Sequence, residues 1–250
     1  MKYSLLLTEG PHDVVFIGKL LRRSAGLRQE ILLDNIATLW RGLVPTEFPF
    51  GGDLHKRVPV PSFFQNQDVS VAVHAVTGDT NFASELEDAL AQIRLSNLHS
   101  VACILDADST QAPAARFEQL KTELTPHIPH WPDAPGQIHP GPPKTGIYVL
   151  PDNTHQGTLE DLLLESAEQS WPDALTHARN FVASATPTLT QADSRELRKP
   201  AGPNKAIVAS VSTLLKPGKS IQTSIQDNDW ALNLPRIAAL QTFLHQLTGL

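Results

Sequence analysis

Apolar and polar positions alternate along the chain with two different periods. Four short runs are apolar at nearly every position: Tyr3–Thr8, Val69–Val76, Ser100–Leu105 and Gly146–Leu150. The first three close on Glu9-Gly10-Pro11, Thr77-Gly78-Asp79 and Asp106-Ala107-Asp108, the marks of a buried strand and its exit turn. Continuous apolarity, rather than strict alternation, suits strands covered on both faces. Between the runs the spacing becomes helical. His12–Arg23 carries Val14, Ile17 and Leu21 on one stripe, with Gly26 as a stop. Phe82, Leu86, Leu90 and Ile93 mark a second helix, Phe117, Leu120 and Leu124 a third, and Leu159–Ala167 a fourth. Strands alternating with helices predict βαβ units, hence an α/β fold with an open parallel four-stranded sheet flanked by helices.

Three regions depart from this rhythm. Residues 28–68 read as a long insertion carrying Trp40, Phe48, Phe50, Phe63, Phe64 and the basic cluster His55-Lys56-Arg57. Residues 125–145 are rich in Pro, Gly and His. Residues 168–250 show no strand pattern and predict helices near Trp171–Ala185, Asn204–Leu215 and Pro235–Leu247. The expected organisation is an α/β unit over 1–167, interrupted by 28–68, and a helical C-terminal extension over 168–250. The last helix carries Ile237, Leu240, Phe243, Leu244 and Leu247, a stripe suited to core packing or to a homodimer.

Composition narrows the class. Apolar residues make up 41% of the 250, enough for a real core, and charged residues only 18%. A single cysteine, Cys103, rules out an internal disulfide and offers at most one thiolate to a zinc site. It lies within an apolar run and reads as core filler. The N-terminal apolar run ends at Glu9 without a small-residue cleavage site, and no apolar stretch approaches the roughly 20 residues of a membrane span. The expectation is a cytoplasmic protein without a membrane partner.

The chemistry lies in where the acids fall. Glu9 ends the first strand, Asp106 and Asp108 the third, and Glu160 and Asp161 follow the fourth. Right-handed crossovers gather the carboxyl ends of parallel strands at one edge, where functional groups collect. Asp13, one helical turn after Glu9, can face the same place. Crowded carboxylates repel one another and resist ionising together. A divalent cation removes that penalty, and all-oxygen ligands select Mg2+ or Mn2+. Two such ions can clamp the attacking and leaving oxygens of a phosphodiester.

Leu5-Leu6-Leu7-Thr8-Glu9-Gly10, with Asp13 and a helix behind it, resembles the opening motif of Toprim domains. Ile104-Leu105-Asp106-Ala107-Asp108 resembles their second motif, an Asp-x-Asp at a strand end. The likeness is strongest to the OLD (overcoming lysogenization defect) branch, including small stand-alone members, and covers residues 1–165. Thr158-Leu159-Glu160 matches that branch's later Ser/Thr-x-Glu, and Lys205 is the best match to its downstream lysine. The resemblance implies a nuclease acting on DNA or RNA with one or two metals. It implies Glu9 as metal ligand and general acid or base, Asp13, Asp106, Asp108 and Glu160 as further ligands, and Lys205 as stabiliser of transition-state charge. No Gly-x-x-x-x-Gly-Lys-Ser/Thr loop exists in the sequence, so no ATP is expected. The only tyrosines are Tyr3 and Tyr148, which argues against a topoisomerase using a covalent tyrosine.

Plainer readings stand beside these. Glu9-Gly10 is also turn chemistry, and Asp106-x-Asp108 can cap the following helix. Thr158-x-x-Asp161 fits a capping box, which makes Asp161 a cap rather than a ligand. Lys205 follows Asn204, a candidate N-cap, and opposes the helix dipole there. Asp79 suits a tight turn, and His127, His130 and His139 sit in a loop without zinc spacing. Arg41 and His55-Lys56-Arg57 form either a phosphate contact or a solvated surface. Two other functions remain open. Asp106-Ala107-Asp108-Ser109-Thr110 resembles the nucleophile motif of haloacid-dehalogenase-like phosphohydrolases, though not at that family's N-terminal place. A non-catalytic module that binds nucleic acid or a partner through a metal would show the same acids.

The chain carries 26 acids against 20 Lys and Arg, a formal charge of -6, unlike a protein that binds nucleic acid by bulk positive charge. Setting aside Glu9, Asp13, Asp106, Asp108 and Glu160 leaves 21 acids against 20 bases. The rest of the chain is nearly neutral, so a metal-bridged nucleic-acid substrate is compatible with it.

Overall fold

Strand β1 (Lys2–Thr8) runs through the middle of the protein, and its five residues Ser4–Thr8 are fully buried. The computed structural model describes residues 1–47, 52–54, 59–76, 78, 81–107 and 111–250. Strand β4 (Val69–Ala75) pairs parallel with β1 on one side, and β5 (Ser100–Asp106) pairs parallel with it on the other. Strand β7 (Lys144–Leu150) extends the parallel set beyond β5. These are the four apolar runs of the sequence.

The sheet does not stop there. Strands β2 (Arg28–Glu30) and β3 (Ser62–Gln65) add antiparallel beyond β4, and β6 (Ile138–His139) adds antiparallel beyond β7. The result is a mixed seven-stranded sheet in the order β2-β3-β4-β1-β5-β7-β6. An open sheet of four parallel strands is therefore too small a description, and the α/β class with flanking helices holds. The insertion supplies two of the extra strands, together with short 3-10 turns at Leu33–Asn35 and Thr38–Leu43. Its Trp40 is wholly buried, with the indole N–H donating to Ser70 Oγ at 2.8 Å and the ring edge-on to Tyr3.

Both faces are covered, as the continuous apolar runs require. On one face Leu6, Val71, Val73, Ala102, Ile104 and Tyr148 share a core with Phe16, Ile17 and Leu20 of helix α1 (Pro11–Ala25). The fit is close enough that a Cβ on Gly18 would sit 2.3 Å from the Phe64 ring. On the other face Leu5, Leu7, Val101, Cys103, Leu105 and Val149 pack under α2 (Phe82–Gln92) and α3 (Pro113–Leu124).

The C-terminal region carries helices and, among the described residues, no strand: α4 (Leu159–Ser170), α5 (Pro172–Ala185), α6 (Gly202–Leu215), α7 (Ile221–Asp227) and α8 (Pro235–Thr248). Helix α8 lies on the α1 face, where Ile237, Leu240, Phe243, Leu244 and Leu247 are buried within the chain itself. Lys2 and Lys144, at the starts of β1 and β7, donate to the Gly249 and Gln246 carbonyls at its C-terminal end. Cations suit that end of a helix dipole. Helix α7 was not foreseen. Its last carbonyls are capped by Lys19 of α1, whose ammonium, only 2% exposed as a residue, donates to the carbonyls of Ile225 (2.8 Å) and Asn228. No described helix is long and apolar enough to cross a membrane.

Candidate functional site

Helix α1 leaves β1 onto one face and α3 leaves β5 onto the other. The carboxyl ends of these adjacent strands therefore border a crevice where the connections diverge, the usual ligand position in an open α/β sheet. A cleft of about 220 Å³ opens there, lined by Glu9, His12, Asp13, Asp106, Glu160 and Lys205, with Gly10, Pro11, Gly78 and Leu159. Five of the six residues expected to form the site thus meet in one place. The sixth, Asp108, lies outside the described residues, as do Thr77, Asp79 and His55-Lys56-Arg57.

Each carboxylate is placed by backbone. Glu9 Oε1 accepts the N–H of Asp106 at 3.1 Å, tying the exits of β1 and β5 together. Asp13, in the first turn of α1, accepts the N–H of Gly10 at 2.9 Å through Oδ2. Asp106 reaches across to the start of α4 and accepts the N–H of Leu159 at 2.9 Å through Oδ1. Asp161 Oδ2 accepts the N–H of Thr158 at 2.8 Å, so it is a helix cap, as its spacing suggested. Gly157 makes room for that cap: its φ is +149°, and a Cβ would lie 2.6 Å from Asp161 Oδ2.

Lys205 comes from α6. The expected N-cap, Asn204, is instead the third residue of a helix capped at Ala201. Its side chain donates to Asp161 Oδ1 at 2.9 Å and docks the start of α6 on the start of α4. This brings Lys205 Nζ to 3.8 Å from Glu160 Oε1. Glu160 is only 4% exposed, and its Oε2 is buried without a hydrogen-bond partner.

The electrostatics follow from crowding. Burial, joined by the charges of Glu9 and Glu160, pushes the Asp13 carboxyl up to about 7, against the pull of the Gly10 N–H and Lys205. Asp106 is raised well above the usual carboxylate range by burial and then by Asp13, Glu9 and Glu160. His12 is lowered by burial and by Lys205, with Glu160 opposing.

Two members of this neighbourhood escaped the sequence. His12 lines the cleft from the start of α1. Arg116, on the first turn of α3 and 5% exposed, places Nη2 at 3.3 Å from Glu9 Oε1. The signal for Arg116 was present: it stands four residues before Leu120, a cation on the buried stripe of its helix.

The donors on offer to a cation are hard carboxylate oxygens. Asp13 Oδ1 and Asp106 Oδ2 accept no hydrogen bond among the described residues, and Glu160 Oε2 is orphaned. As placed, no group of three or more His, Cys, Asp or Glu side chains among the described residues is arranged to hold a metal ion. His130 and His139 stack with centroids 5.5 Å apart and are joined by no third ligand there.

Fold and cleft together define an α/β protein with an acidic crevice at the carboxyl edge of a mixed sheet. Residues 3–249 match the family described as "Protein of unknown function (DUF3226)", and the chain belongs to that family. No curated protein matches it. Among solved structures it is similar to the hypothetical protein PH0156 from Pyrococcus horikoshii OT3, with 17% identity and a TM-score of 0.55. That likeness covers 99% of this chain and 95% of the other, and it speaks for the fold.

Proposed function

We propose that the protein is a Mg2+- or Mn2+-dependent hydrolase of phosphodiester bonds in DNA or RNA, built on a Toprim-like core of OLD type. The observation that carries this reading is convergence. Glu9, Asp13, Asp106 and Glu160, from three separate stretches of chain, line one small cleft that Lys205 also enters. The neighbouring parallel strands β4, β1, β5 and β7 supply a core of the kind the resemblance implies. The residues suit a hard cation. Burial and mutual repulsion hold two carboxyls above their usual range, and three carboxylate oxygens accept no hydrogen bond among the described residues.

Asp13, Asp106 and Glu160 would hold the ion, with Asp108 as a further candidate. When bound, it would polarise a phosphate oxygen and ease the ionisation of water. Glu9, fixed through Oε1, accepts the proton of an attacking water. Lys205 sets positive charge beside the phosphoryl oxygens, where charge grows in the transition state. His12 can hydrogen-bond the leaving oxygen, which would take its proton from water.

The test is cleavage of end-labelled single- and double-stranded DNA and RNA with Mg2+ or Mn2+, against EDTA. The expected result is metal-dependent nicking that Asp106→Asn abolishes. Equal cleavage in EDTA, or full cleavage by Asp106→Asn, contradicts the reading. Tight metal-dependent binding without turnover would instead favour a docking module. The haloacid-dehalogenase alternative needs Asp106 as nucleophile, yet one of its oxygens caps α4 and three other acids surround it.

A further inference from the structure

The sheet ends on β2, and no described strand lies beyond it. The outward N–H and C=O groups of such an edge are a template for a further strand. Proteins usually blunt an edge with a short strand, a lysine, a proline or an inward charge. Strand β2 is short and buries its Glu30, but it leads directly into Ile31-Leu32-Leu33. All three residues are more than half exposed, Ile31 at 85%. Three consecutive aliphatics open to water are a liability unless something covers them.

The charges of the strand indicate what does. Arg28 and Glu30 share one face of β2, where the exposed guanidinium donates through Nε and Nη2 to Glu30 Oε1 at 3.0 and 2.9 Å. Glu30 Oε2 accepts no hydrogen bond among the described residues. Laid antiparallel to itself about Gln29, the strand sets Arg28 of each copy opposite Glu30 of the other, with Cβ atoms about 4.5–5.5 Å apart. A surface pair within one chain contributes little. Across the two copies each Glu30 would meet two guanidiniums, one on each side. The same register brings Ile31 of each copy toward Leu27 of the other, on the opposite face.

We propose that the protein forms a two-fold dimer through this edge. Strand β2 pairs antiparallel with β2 of a second copy, centred on Gln29, and Ile31, Leu32 and Leu33 of both copies close over the joint. Such an interface is isologous, so each favourable contact occurs twice. The proposal is independent of the chemistry of the cleft, which opens at the ends of β1 and β5 rather than along the β2 edge.

The experiment is sedimentation velocity on the full chain, over concentrations from the micromolar to the millimolar. The wild type is expected to move from the 27.3 kDa chain mass to twice that mass as concentration rises. Ile31→Glu, which charges the aliphatic run, and Arg28→Glu, which sets like charges across the axis, are each expected to weaken the dimer about tenfold or more. The decisive arm mixes two chains. Arg28→Glu and Glu30→Arg are each expected to dimerise poorly alone. Their equimolar mixture is expected to form a 1:1 heterodimer at wild-type strength, because both cross-axis pairs are again opposite in sign. A wild type that stays monomeric overturns the proposal and leaves the edge to a strand of another protein. A dimer that Ile31→Glu leaves unchanged, or a mixture no stronger than its parts, puts the interface elsewhere and overturns it as well. If Glu30→Arg does not fold, hydrogen–deuterium exchange replaces the mixture. Amides of residues 28–31 are expected to exchange more slowly as wild-type concentration rises, and not in Ile31→Glu; no slowing in the wild type overturns the proposal.

Discussion

Asp106 Oδ1 accepts the backbone N–H of Leu159 at 2.9 Å, so one carboxylate both caps α4 and faces three other acids. The two duties separate by substitution. Asp106→Ala leaves a buried N–H without its acceptor and is expected to cost about 1–3 kcal/mol. Asp106→Asn keeps an oxygen for Leu159 and removes a repelled charge. In EDTA it is expected to melt at or above the wild-type temperature, and a melt as low as that of Asp106→Ala would show that the charge itself supports the fold.

Saturating metal is expected to raise thermal stability. Binding to the folded chain alone at a hundred times Kd contributes about 2.7 kcal/mol, or a shift in Tm of about 5–10 °C for a protein of this size. Asp13→Asn and Glu160→Gln are expected to lose most of that shift in differential scanning fluorimetry. An undiminished shift would place the ion elsewhere.

Lys205→Met is expected to lower cleavage about 10²–10³-fold while leaving Mn2+ affinity within a few-fold of wild type. A matched loss of both would make Lys205 a structural partner of Glu160 instead.

Lys19 gives a pH signature away from the cleft. Burial, with Arg23 and Arg22 nearby, lowers it to about 8 from an ordinary 10.5, partly offset by Asp229 and Asp227. Between those pH values the unfolded chain holds a proton that the folded chain has released, so this group makes stability rise with pH. Urea unfolding at pH 7.5 and 10 is expected to show the wild type gaining on Lys19→Met. A wild type that loses ground over the same interval contradicts the assignment.

At the acid end the loop after β7 also makes stability rise with pH. Burial alone would raise the Asp152 carboxyl. Hydrogen bonds from His155 and Thr154 hold it down to about 2 instead, and Arg236 Nε lies 2.8 Å away. Its contribution is present above the ordinary value of 3.8 and is lost as pH falls from there toward 2. Asp152→Asn is expected to flatten that part of the acid melt, and an unchanged profile between pH 4 and 2 would contradict it.

The sequence revealed what burial makes repetitive. Four strands covered on both faces stood out because nearly every side chain in them is apolar. Strand β2 is Arg28-Gln29-Glu30 at a sheet edge, and β6 has two residues, so neither leaves a pattern. Trp40 could be seen in the insertion, but nothing local said that it enters the core. In the cleft, acids at strand ends were legible because topology alone brings such ends together. Arg116 was hidden inside a helical stripe, and its meaning depends on α3 crossing back toward Glu9.

The most direct measurement is anomalous diffraction from a crystal soaked in Mn2+. A peak bonded to Asp13, Asp106 and Glu160 is expected. Well-ordered carboxylates with no peak among them, at a Mn2+ concentration that saturates cleavage, would contradict a metal-dependent function for this cleft.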